Sequence, residues 1–101
     1  MVDVELQESL RVYLDVSSKG IYPIGGYERL GGRYGLSAER VYAQVMEFLN
    51  PLTVIPDEWG RVDYQRAGEL AAERARSLHP DLPADLCTAI GHYVAYLVWH
   101  G

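Results

Sequence analysis

The sequence predicts an all-α fold in a single domain spanning residues 1–101, on three observations. Apolar residues recur three and four apart in several separate segments, the period of an amphipathic helix. Residues that favour helix starts and stops flank those segments. A chain of 101 residues, 49% of them hydrophobic, can bury one core but not two.

Leu6, Leu10, Tyr13 and Leu14 define a first helix, closed near Ser17-Ser18-Lys19-Gly20, where Gly can take the left-handed cap conformation. Residues 20–35 hold six glycines with Tyr22, Tyr27 and Tyr34, in the near-repeat Gly26-Tyr27-Glu28-Arg29-Leu30-Gly31 and Gly32-Arg33-Tyr34-Gly35-Leu36. At roughly 1 kcal/mol of helix penalty per glycine, this stretch reads as an ordered loop. Ser37 is a good N-cap for a second helix carrying Val41, Val45, Phe48 and Leu49 on one stripe, which Asn50-Pro51 should stop.

Thr53, Val54 and Ile55 suit a short extended piece and Pro56-Asp57-Glu58-Trp59-Gly60 a turn, so a short β-hairpin flap is expected over 52–60. Asp63 should cap a third helix with Ala67, Leu70, Ala71, Arg74 and Leu78 along one side and Glu69, Glu73 and Arg76 on the other. A fourth helix is expected from Pro83, a residue suited to the first helical position. Its body from Ala89 to Trp99 is apolar almost all round, the profile of a helix in the middle of a bundle.

Nine basic against fourteen acidic residues give a net charge of −5, spread along the chain. Unaided binding to nucleic acid or an anionic membrane is disfavoured. Lone Cys87 excludes an internal disulfide, and the start Met1-Val2-Asp3-Val4-Glu5 lacks the basic and apolar regions of a signal peptide, so a cytoplasmic location is expected. The apolar run from Val94 to Trp99 is too short to span a bilayer.

The corner between the third and fourth helices carries the candidate site. His79 ends one helix, ahead of Pro80, and faces the first turn of the next, whose open backbone N–H groups suit an anion. From Asp63 onward the chain resembles the Fic/Doc family, whose signature is H-P-F-x-(D/E)-G-N-x-R. His79-Pro80 match its start, Thr88-Ala89-Ile90 falls where the Doc-like branch has T-A-L, and His100-Gly101 where it has N-G. Asp63 through Ala67, Leu70, Ala71 and Leu78 is similar to that family's helix before the motif.

The resemblance implies a Fic/Doc-like helical bundle with the 52–60 segment as a target-docking flap, and transfer of a nucleotidyl or phosphoryl group to a protein hydroxyl. It implies His79 as the general base, ATP or another nucleotide with Mg²⁺ as donor, and the setting of a bacterial toxin component with a protein target or antitoxin as partner. The chain departs from the signature with Asp81 at the Phe position, Pro83 at the acidic position, and Ala84, Asp85, Leu86 and Cys87 at G-N-x-R. On this alignment Ala84 and Asp85 stand where the nucleotide is cradled, and Asp81 and Asp85 are the candidate Mg²⁺ ligands. The phosphate-gripping Arg is missing, and Asp85 already satisfies the helix dipole. The same resemblance therefore has a second form, a pseudoenzyme without cofactor that binds through residues 20–35 and 51–61.

Each of these residues also has a structural role open to it. His79 can cap its helix, Asp81 and Asp85 can be ordinary helix-start carboxylates, and Cys87 can be a buried small hydrophobe. Cys87, His92 and His100 lack zinc-site spacing. Two further readings stay open: a helix-turn-helix DNA binder over residues 30–49, with Gly35-Leu36-Ser37 as its turn, and a small acidic protein-interaction module. The first lacks the basic stripe of a DNA reader. In the Fic/Doc-like reading Tyr96 and Trp99 are expected to need cover, which a partner or a second copy in a homodimer would give.

Overall fold

Asp3 starts the first helix: its carboxylate accepts the Leu6 N–H at 2.7 Å and begins α1 (Val4–Leu14), which turns Leu10 and Leu14 into the core. The computed structural model describes residues 2–16 and 25–100. Asp15, at φ 52° and ψ 59°, ends α1 with its N–H on the Arg11 carbonyl, ahead of the expected Ser17–Gly20 stop, which lies outside the described residues.

The expected loop over 20–35 is corrected within its described part: residues Gly26–Tyr34 form a helix, α2. Tertiary contacts outweigh the glycine penalty. Leu30 is fully buried, contributing about 1.5–3 kcal/mol. Arg29 reaches from α2 to the last carbonyls of α1, its Nε donating to Val12 O at 2.9 Å and its Nη2 to Tyr13 O. A cation at a helix C-terminus is favourable in itself. Gly35, at φ 57° and ψ −122°, then closes α2 in a conformation that a side chain would strain.

A single turn at 35–37 leads into α3 (Ala38–Thr53), with Val41, Val45, Leu49 and Leu52 inward. Ser37 stands at the N-cap, though its side chain makes no capping hydrogen bond. Pro51 does not stop the helix. One lost ladder bond so near the C-terminus is offset by burying Leu52, which is 1% exposed.

The expected hairpin is corrected too: no strand forms among the described residues, and the segment holds a single turn at 57–59. Arg74 explains why. Its Nη2 donates to the carbonyls of Leu52 and Val54, the latter at 2.8 Å, and its guanidinium lies 4.8 Å from the Trp59 ring centre. The segment is strapped to the neighbouring helix instead of pairing with itself.

Asp63 accepts the Arg66 N–H at 2.8 Å and starts α4 (Tyr64–Leu78), as expected. The buried line is Ala67, Gly68, Ala71 and Ala75, whereas Leu78 is 58% exposed. Residues 79–83 turn the chain into α5 (Ala84–His100), with the Pro83 carbonyl accepting the N–H groups of Leu86 and Cys87. Pro83 thus precedes the helix and does not occupy its first position.

Helices α1, α2 and α3 pack against one another as one layer, and α4 and α5 form a hairpin beside it. Leu86, Cys87, Ile90 and Val94 of α5 are fully buried. Tyr13 is the centre of an aromatic cluster: its ring lies 6.0 Å from Tyr42 and 5.9 Å from Tyr93, and its hydroxyl 3.3 Å from that of Tyr93. The expectation for α5 is corrected at its far end. Only its inner half is central, because Leu97 and Trp99 are 38% and 51% exposed. No helix among the described residues is long and apolar enough to cross a membrane.

Candidate functional site

The His-Pro corner sends its polar groups to three different elements. The His79 N–H closes α4 on the Ala75 carbonyl at 2.9 Å, and its ring packs on Phe48 of α3 with centres 4.6 Å apart. Asp81 accepts the Val2 N–H at 2.8 Å. That bond holds its carboxyl below the ordinary aspartate value. Asp85 pairs with Arg11 of α1 by accepting from both of its terminal nitrogens, Nη1 and Nη2, the latter 3.2 Å from Oδ1. The pair depresses the Asp85 pKa and raises that of Arg11.

The two aspartates considered as Mg²⁺ ligands therefore serve the N-terminal segment and α1, and Ala84 beside them is exposed. No group of three or more His, Cys, Asp or Glu side chains suited to a metal occurs among the described residues. Burial pushes the Cys87 thiol up, away from the nucleophilic thiolate.

Asp85 also borders a recess of about 780 Å³ between α1 and α2. Its lining holds three guanidinium groups, Arg11, Arg29 and Arg33, and three carboxylates, Glu8, Asp15 and Asp85. Arg33 lies 3.4 Å from Glu8, and Arg11 is paired with Asp85. Among the described residues the recess lining is neutral, with as many negative groups as positive ones.

The sequence Gly26 to Thr53 does adopt the order helix, turn, helix. Along the exposed face of α3 stand Glu39, Arg40, Ala43, Gln44 and Glu47. Two carboxylates against one guanidinium face outward there.

A different feature dominates the outer side of the α4–α5 hairpin. Gly68 and Gly91 meet where the helices cross. A Cβ on Gly68 would stand 2.8 Å from the Gly91 carbonyl oxygen, and one on Gly91 2.6 Å from that of Gly68. With Ala72 and Ala95 beside them, these residues let the backbones approach and leave an apolar groove of about 470 Å³ over the crossing.

Tyr64 and Glu69 of α4 and His92, Tyr96 and Trp99 of α5 wall the groove. At its open end the Tyr64 and Trp99 rings stack with centres 5.7 Å apart and planes 26° from parallel. By helical periodicity this face of α5 lies roughly opposite the face that carries Leu86, Ile90 and Val94. Where the sequence suggests that Tyr96 and Trp99 need cover, Trp99 is half exposed and Tyr96 is of intermediate burial. The groove floor was not read, although the small residues spaced four apart, Gly68 and Ala72 on α4 and Gly91 and Ala95 on α5, signal a close helix crossing. No protein family, curated protein or solved structure matches this chain.

Proposed function

We propose that this chain is a small protein-interaction module whose working surface is the outer face of α4 and α5. One observation carries the reading: an apolar groove with a small-residue floor ends in a stacked Tyr64–Trp99 pair whose indole is half exposed. Tyrosine and tryptophan are enriched where proteins meet, and their rings supply most of the binding energy when a partner dries them. A protein partner is favoured over nucleic acid, because Glu39 and Glu47 flank the single cation Arg40 on the open face of α3 and the chain carries a net charge of −5.

A photoreactive phenylalanine analogue at position 96, expressed in cells, tests the reading. It should give a discrete protein adduct that the same analogue at position 39 does not. No adduct at 96 refutes it.

The degenerate Fic/Doc-type toxin remains the second reading, because the His79-Pro80 corner does join two helices as that motif requires. In that reading His79 would act as base once it leaves Phe48, and ATP with Mg²⁺ would compete with Arg11 for the first turn of α5. Thermal unfolding at millimolar ATP, with and without Mg²⁺, separates the two readings, since a ligand of the native state raises apparent stability. The interaction module predicts no shift. A Mg²⁺-dependent rise that is lost in His79→Ala would favour the transferase.

A further inference from the structure

We infer that residues 54–62 form a strap that opens and closes on the helical body as one unit, with the Arg74 side chain as its latch. The inference is independent of what the α4–α5 groove binds. The turn at 57–59 lays none of its backbone against a helix among the described residues. The hydrogen bonds and ring contact that tie the strap down among those residues come from one side chain. Arg74 Nη2 donates to the carbonyls of Leu52 and Val54, and the guanidinium lies 4.8 Å from the Trp59 ring centre. Leu52 belongs to α3 and Arg74 to α4, so the latch gathers the strap between the two helices that it connects.

Apolar burial adds little to this hold. Val54 is 63% and Ile55 37% exposed with the strap closed, so opening brings little new aliphatic surface into water. The latch also carries a penalty of its own. Burial of the guanidinium lowers the Arg74 pKa, and its Nε is buried without a partner among the described residues. Both effects end when the strap lifts and water reaches the group. Charge-assisted bonds on one side and desolvation on the other leave the closed form favoured by a small margin, the condition for local opening with the helices intact.

The two ends can stay fixed while the middle moves. Leu52, 1% exposed, anchors one end in the core. Asp63 anchors the other by accepting the Arg66 N–H at 2.8 Å, a bond local to the start of α4. Between turn and cap stands Gly60, at φ 64° and ψ −148°, a residue free to swing into other backbone regions. Opened, the strap releases the Trp59 indole and the Arg74 guanidinium together, a ring and a cation that the closed fold keeps on each other.

Native-state hydrogen exchange of the full chain tests this, followed amide by amide by NMR in increasing urea below the unfolding transition. The Trp59 N–H donates to the Pro56 carbonyl at 3.1 Å and the Gly60 N–H to that of Asp57 at 3.0 Å. A single turn has no stability of its own once released. Both amides should therefore exchange with a common opening constant and almost no urea dependence, since opening exposes little surface. The amides of Leu49 and Ile90 should follow the steep dependence of global unfolding. Arg74→Met should speed exchange at Trp59 and Gly60 by about 30-fold, while Leu49 and Ile90 remain protected. Arg74→Lys, which keeps the charge but not the planar fork, should fall between the two.

Exchange at Trp59 and Gly60 with the urea dependence of Leu49 and Ile90 overturns the inference, because the strap then opens only when the whole molecule does. Unequal opening constants at the two amides overturn it, because the segment is then not one unit. Rates that Arg74→Met leaves unchanged overturn it as well, because the latch then lies elsewhere. If Arg74→Met does not fold, the urea dependence of the parent and the rates in Arg74→Lys decide.

Discussion

Alanine in place of helical glycine should move stability in opposite directions at two sites in this molecule. Helix propensity favours alanine by about 1 kcal/mol everywhere. At Gly31 and Gly32 of α2 an added Cβ would meet nothing within 4 Å, so that preference acts alone. Gly31→Ala and Gly32→Ala should each stabilise by up to about 1 kcal/mol, or about 4–8 °C in Tm per kcal/mol for a domain near this size.

At the α4–α5 crossing the same methyl would stand 2.8 Å from the Gly91 carbonyl for Gly68→Ala and 2.6 Å from the Gly68 carbonyl for Gly91→Ala, with another methyl at 3.1 Å in each case. The nearest atom is backbone oxygen in a helix, which cannot rotate away, so the helices must part. Overpacking of this kind costs about 1–3 kcal/mol, leaving a net loss on the order of 1 kcal/mol and a gap of about 2 kcal/mol between the two sites. Urea unfolding followed by circular dichroism at 222 nm measures it. A Gly68→Ala or Gly91→Ala protein as stable as the parent, or a Gly31→Ala protein less stable, would refute the reasoning.

Three other outcomes follow from the arginine and titratable contacts. Arg74→Met should destabilise by about 2–3 kcal/mol in urea unfolding, because it removes charged hydrogen bonds to Leu52 and Val54 and the Trp59 contact. The parent value is tempered by the burial that lowers the Arg74 pKa, and by an Nε that is buried without a partner among the described residues. The Asp85 carboxyl keeps its charge to lower pH in the native chain than the unfolded value of about 3.9. Its contribution is therefore complete above about pH 5 and drains away as pH falls through the native value. The pair is half exposed, so this is at most about 1 kcal/mol, and Asp85→Asn should flatten that part of the acid limb. Burial and the Tyr93 hydrogen bond raise the Tyr13 pKa, so its contribution is present below pH 10 and is lost above. Tyr13→Phe should show a shallower fall in urea midpoint between pH 9 and 11.

Where helix boundaries depend on neighbours in sequence, the chain was legible. Asp63 caps α4 and Val41, Val45 and Leu49 line α3 as their spacing predicts. The errors share a cause. Helix α2 survives its glycines because Arg29 and Leu30 are answered by α1 and the core, and α3 runs past Pro51 because Leu52 is buried and Arg74 donates to the Leu52 carbonyl. None of those partners is close in sequence. The corner residues were found, but their hydrogen-bond and ring partners, Phe48, Val2 and Arg11, come from 31 to 79 positions away in the chain and redirect what the side chains do.

Cys87 is the chain's one thiol, sealed in the core, with its sulfur 3.9 Å from the Leu82 carbonyl. A sulfur so enclosed, and kept protonated by its surroundings, meets a disulfide reagent only when α5 lifts from the layer beneath it. Its labelling rate is therefore an internal clock for that opening, readable without adding a probe. Because the clock sits on the inner side of α5, a molecule seated on the outer side would slow it by holding the fold shut and not by blocking the reagent.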